Sequence, residues 1–99
     1  MNKLKDSPDG SRIVITVIGP DRVGIIAAVS AILAEKGINI LDISQTIMQE
    51  FFVMVLVADM KEAKIDLVNL KDHLARKGEE LKVRIDAQHE DVFNFMHRI

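Results

Sequence analysis

The sequence contains no cysteine. Disulfide bridges, zinc sites built on thiolates and thiol redox chemistry are therefore excluded, and the absence suits a cytoplasmic protein. Excess positive charge is missing as well. Thirteen Lys and Arg stand against 15 Asp and Glu, for a formal net charge of −2. A nucleic-acid-binding domain carries a basic face, so no nucleic-acid partner is expected. No apolar run approaches the ~18 residues of a membrane-spanning helix, so no membrane partner is expected either. The opening MNKLKDSPDGSR has no apolar signal core.

What is present is ordinary for a small globular protein: 99 residues, 48% hydrophobic and 28% charged. That length suggests one domain with a feasible but thin core. Residues 1–11 read as a flexible tail with a turn at Pro8-Asp9-Gly10, residues 12–88 as the domain, and residues 89–99 as a C-terminal helix packing on the domain or on a dimer interface.

Residues 13–18, IVITVI, read as a strand apolar on both faces. Residues 23–36 read as a helix, with Ile25, Ile26, Val29, Ile32 and Leu33 in one stripe, Lys36 in the last turn and Gly37 as a left-handed cap. Residues 38–48 form a second strand whose apolar phase shifts between Ile40 and Leu41, which predicts a bulge. Gln49-Glu50 is a tight connection to a third strand, FFVMVLVA, over 51–58. A second helix spans about 65–77, with Leu67, Leu70 and Leu74 buried and Gly78 closing it. Residues 81–87, LKVRIDA, alternate with Leu81, Val83, Ile85 and Ala87 inward. In the terminal helix Val92, Phe95, Met96 and Ile99 can share a face.

The order is βαββαβ plus a tail helix. Its compact solution is an α+β two-layer sandwich of ferredoxin-like type with an antiparallel sheet. The first and third strands lie at the centre of that topology, and they are the two that are apolar on both sides. Helices cover one sheet face only, so the tail helix and a second copy of the chain are expected to cover the other. A homodimer follows as the expectation.

The loop Gly19-Pro20-Asp21-Arg22-Val23-Gly24 joins the first strand to the first helix. Asp21 is a candidate N-cap. Gly24, in the predicted first turn, costs roughly 0.8–1.0 kcal/mol relative to alanine. Its missing side chain would let a ligand approach free N–H groups, which favour a carboxylate or phosphate. The charge of Asp21 disfavours a bare anion but suits a ligand that also carries an ammonium, as an α-amino acid does. Arg22 is a possible bidentate partner for a carboxylate.

At this point the chain resembles the ACT-domain family, small regulatory modules that often bind amino acids. The likeness runs over about residues 13–87. Asp21-Arg22-Val23-Gly24-Ile25 matches the family's Asp-Arg-x-Gly-Ile signature, and Gly37-Ile38-Asn39-Ile40 matches its turn into the second strand. Gln45-Thr46 followed by Phe51-Phe52, and the tail HEDVFNFMHRI, are similar to single-domain members from bacteria and archaea. The resemblance implies a homodimeric, non-enzymatic regulatory module. Its ligand would sit between subunits, against Gly19, Pro20, Asp21, Arg22, Val23, Gly24 and Ile25 of one chain and Asn39 and Ile40 of another, with a further protein as recipient of the signal. The first helix separates these segments by roughly 20 Å within one chain, too far for one amino acid to bridge.

Plainer roles compete. Asn39 fits ligand binding or strand-start bonding equally, and Gln45 and Thr46 fit ligand contact or an ordinary edge strand equally. The phenylalanines and methionines read first as core or interface. His73, His89 and His97 lack metal-pair spacing and read as surface or capping residues, so no metal or cofactor is implied. An acylphosphatase-like enzyme shares the element order, and Arg22 and Gln45 echo its arginine and amide, but its loop pattern is missing. RNA-recognition modules need aromatic stacking positions that the first strand lacks. A dimerisation scaffold without ligand is the remaining alternative.

Overall fold

The structure, a computed structural model, describes residues 11–20 and 23–96, without the side chains of Phe95 and Met96. The expectations for residues 1–10, for the side chains of Phe95 and Met96, and for Asp21, Arg22, His97 and Ile99 lie outside the described residues.

The elements run β1 (Arg12–Pro20), α1 (Ile25–Glu35), β2 (Asn39–Met48), β3 (Phe51–Asp59), α2 (Leu67–Leu81), β4 (Arg84–His89) and α3 (Glu90–Met96). The four strands form one sheet in the order β2-β3-β1-β4. Every neighbouring pair is antiparallel. The two strands apolar on both faces are the central ones, as their sequence requires.

Alternation divides the central strands between the two faces. Ile13, Ile15 and Val17 of β1 and Phe52, Met54, Leu56 and Ala58 of β3 are buried in the core with α1 and α2. Val53, Val55 and Val57 turn the other way and are half-buried, while Ile18, Met48 and Phe51 are exposed. α1 contributes Ile25, Val29, Ile32 and Leu33 to the core, and α2 contributes Leu70 and Leu74. The register shift in β2 falls between Ile40 and Asp42, where the hydrophobic phase changes. Gln49 and Glu50 form the tight turn, with Gln49 at φ 59°. α3 packs against β1 and β4. The Arg12 guanidinium donates to Glu90 Oε1 from Nη2 at 2.7 Å and from Nε at 3.1 Å, which fixes where α3 begins.

Several boundaries differ from the sequence reading. α1 begins at Ile25 rather than at Val23 and ends at Glu35, one residue early, with Gly37 in the left-handed region just beyond it at φ 73°, as expected. α2 runs through Gly78 to Leu81, and the left-handed residue that stops it is Lys82, at φ 62°. β4 begins correspondingly late, at Arg84. The reason lies in packing. A Cβ on Gly78 would stand 2.7 Å from the Val83 carbonyl oxygen, so glycine here lets α2 lie close against the start of β4. The helix-interior cost of glycine, about 1 kcal/mol, is offset by that approach. At its other end α2 is capped by Asp66, whose carboxylate accepts from the Asn69 N–H at 2.8 Å.

Candidate functional site

Gly24 is the N-cap of α1 and sits at φ 91°, ψ −2°. Its carbonyl accepts the first helical bond, from the Ala28 N–H at 2.9 Å. Gly24 has no side chain to cap this end, and no side-chain cap bond is made among the described residues. The first-turn N–H groups have no acceptor within the helix itself, so this end offers donors.

The sequence reading places Gly24 inside the helix and Asp21 at the cap. The cap position is Gly24, and the glycine is explained by its backbone. A residue with a Cβ pays about 1–2 kcal/mol in the left-handed region. A Cβ at Gly24 would meet nothing within 4 Å, so steric space is not what selects glycine. The sign of a simple substitution reports this. In a helix interior Gly→Ala stabilises by roughly 1 kcal/mol. Gly24→Ala is instead expected to destabilise by about 1–2 kcal/mol, as measured by urea denaturation.

Beside this opening lies a groove of about 790 Å³. One wall is the first turn of α1, residues 24–27. The other is Gln45, Thr46 and Ile47 of β2, with Phe52 of β3 between them. Sheet register builds it. Ile47 pairs with Phe52, which pairs in turn with Gly19, so the edge strand passes level with the point where β1 leads toward α1. Among the described residues β2 has no strand beyond it, and α1 covers its far half poorly. Ile43 is 43% exposed, Ile47 58% and Ile26 37%. Among the described residues that line the groove, none carries a charge.

The residues singled out in the sequence divide between two places. Gly24 and Ile25 line the groove. Gly19 and Pro20 end β1 at the same level of the sheet, paired with Phe52 and Phe51. An added Cβ at Gly19 would come within 2.7 Å of the Val83 side chain, so its small size serves packing. Val23 is fully exposed. Asn39 and Ile40 are not brought to this end. They pair with Asp59 and Ala58 at the opposite end of the sheet, and Asn39 borders a separate hollow of about 380 Å³ with Gly37, Asp59, Lys61 and Glu62. Eight residues of strand separate Asn39 from Ile47, roughly 27 Å at the usual rise. Gln45 and Thr46, evenly balanced in sequence, are placed in the groove by the register.

The other candidates resolve plainly. His89 Nδ1 accepts from the Asp91 N–H at 3.1 Å, a capping role at the start of α3. Among the described residues no group of three or more His, Cys, Asp or Glu is arranged to hold a metal ion. No helix among them is long and apolar enough to cross a membrane.

Comparison with known proteins gives a consistent family. A family model described as ACT domain matches residues 11–88. A UPF0237 protein of Methanocaldococcus jannaschii is 54% identical over 89 residues, which cover 90% of this chain and 99% of that protein. A UPF0237 protein of Clostridium acetobutylicum is 54% identical over 86 residues, covering 87% of this chain and 97% of that one. Among solved structures, an ACT domain protein from Streptococcus pneumoniae superposes with a TM-score of 0.76 at 39% identity, covering 86% of this chain and 96% of that chain.

Proposed function

The chain belongs to the ACT-domain family, and from that premise we propose that it is a non-enzymatic regulatory homodimer that binds an amino acid where two subunits meet. Binding would change the dimer's geometry or its affinity for a further protein, which carries the output.

The observation that carries this reading is the start of α1, a left-handed glycine without a side-chain cap among the described residues, opening onto a groove whose outer wall is an edge strand. Edge strands of ten residues that are exposed along most of their length are seldom left unpaired in solution. An antiparallel match of β2 with its copy, overlapped end to end, would set the start of each strand beside the end of the other. Asn39 and Ile40 of one subunit would then stand next to Ile47 and Met48 of its partner, beside the groove. On this reading the amino acid's carboxylate accepts from the first-turn N–H groups of α1, with Arg22 as a further contact, and Asp21 faces the ammonium. Gly19, Pro20 and Val23 are the further contacts this reading assigns to the ligand.

Sedimentation equilibrium and a thermal-shift screen of the twenty amino acids test the proposal together. A dimer at micromolar concentration is expected. At 100 times its Kd a true ligand adds about 2.7 kcal/mol of stability, a large rise in Tm. A monomer at all accessible concentrations, or no shift with any amino acid at millimolar concentration, would overturn it. In the latter case a dimer without ligand would mark a scaffold.

A further inference from the structure

We infer that the amino acid held in this groove is one with an uncharged, apolar side chain, such as leucine, isoleucine, valine, methionine or phenylalanine. The inference rests on the amino-acid reading above and adds the side chain to it.

The lining makes the selection. Leading away from the opening of α1, the walls are Ile26 on the helix and Ile47 on the edge strand, with Phe52 between them. Ile26 and Ile47 keep substantial apolar surface in water. The polar side chains of the lining are Gln45 and Thr46, both neutral. A ligand whose side chain ends in a charge would lose water on entering and find no counter-ion among these residues. A glycine or serine would leave Ile26 and Ile47 wet and gain nothing from them. An apolar chain covers both and removes its own surface from water. The volume lies within the ~300–1,000 Å³ typical of small-molecule sites, so size does not impose a small side chain. Polar recognition stays at the helix start, with Gln45 and Thr46 available to the ligand's backbone groups. This is the usual division of an apolar site with a few convergent polar atoms.

Titration calorimetry of the full chain with leucine, isoleucine, methionine, serine, aspartate and lysine tests it. The apolar ligands are expected to bind at least about ten-fold more tightly than serine, aspartate or lysine, as one or more methylenes in an apolar pocket require. Ile47→Ser and, separately, Ile26→Ser should each weaken leucine binding by about ten-fold or more. Both positions are exposed enough for the fold to survive, which circular dichroism would verify. Equal or tighter binding of serine, aspartate or lysine would overturn the inference and leave the amino-acid reading standing. So would leucine affinity unchanged within two-fold in both variants. Absence of saturable binding by any of the six, together with no thermal shift from any of the twenty amino acids, would sink both.

Discussion

Leu74→Ala is expected to lower the unfolding free energy by about 2–5 kcal/mol. Leu74 is fully buried, one turn after Leu70 and one turn before Gly78 on the inward side of α2. Truncation there leaves a cavity that the neighbours cannot refill. Gly78 has no side chain to move, and the close approach of α2 to Val83 holds the helix where it is. A domain of this size has about 5–15 kcal/mol in total, so the variant loses a large share of it. Each kcal/mol lowers Tm by about 4–8 °C in domains of 60–100 residues. The measurement is a urea titration, in which the midpoint should fall while the slope stays unchanged. Val68→Ala, on the same helix at 76% exposure, is the control and should stay within about 0.5 kcal/mol.

The second large effect concerns assembly. Ile43 stands near the middle of β2. In the end-to-end antiparallel overlap proposed above, Ile43 of each subunit lies beside the two-fold axis, so the two Ile43 positions are close neighbours. Ile43→Lys therefore sets like charges against each other at the centre of the proposed interface. Facing like charges cost an interface several kcal/mol, so the dimer should weaken on the order of 100-fold or more. The monomer fold should persist, because Ile43 is already partly in water and lysine is a common resident of exposed edges. Sedimentation velocity across a concentration series reads the outcome. A variant that dimerises like the parent would show that the subunits meet elsewhere. The face bearing Ile18, Met48 and Phe51 would then become the place to look.

The architecture was largely legible in the residues themselves. β1 and β3 announce their central places because Ile13 through Ile18 and Phe51 through Ala58 leave no polar face to turn outward. The bulge in β2 is visible as a change of hydrophobic phase at Leu41, and the hairpin as two polar residues, Gln49 and Glu50, between apolar runs. Two of the boundaries that escaped involve glycine. At Gly24 the residue suggests a weak helical turn, yet it serves a left-handed cap. At Gly78 it suggests an ending, yet it serves close packing in mid-helix. One residue type answers both demands, and only the surrounding backbone distinguishes them. Lys82, which does end α2, carries no local signal, since a lysine with positive φ is uncommon.

The candidate site was half legible. Gly24 and Ile25 follow from the loop, because a chain leaving a strand for a helix must expose that helix's first N–H groups. Gln45 and Thr46 do not. Their approach to α1 depends on the pairing of Ile47 with Phe52 and of Phe52 with Gly19, three segments far apart in sequence. Asn39 lies at the far end of its own strand, so a single chain does not unite it with Gly24. Only the two-subunit arrangement proposed above would do so.

The pairing of Ile13 with His89 and the Arg12–Glu90 contact place the two extremities of the βαββαβ unit at one corner. A polypeptide can thus run into this unit and out again through a single doorway. Such a unit can be spliced as a cassette into a surface loop of a host protein without prising that loop apart. It can equally hang from either side of a longer chain as a pendant sensor.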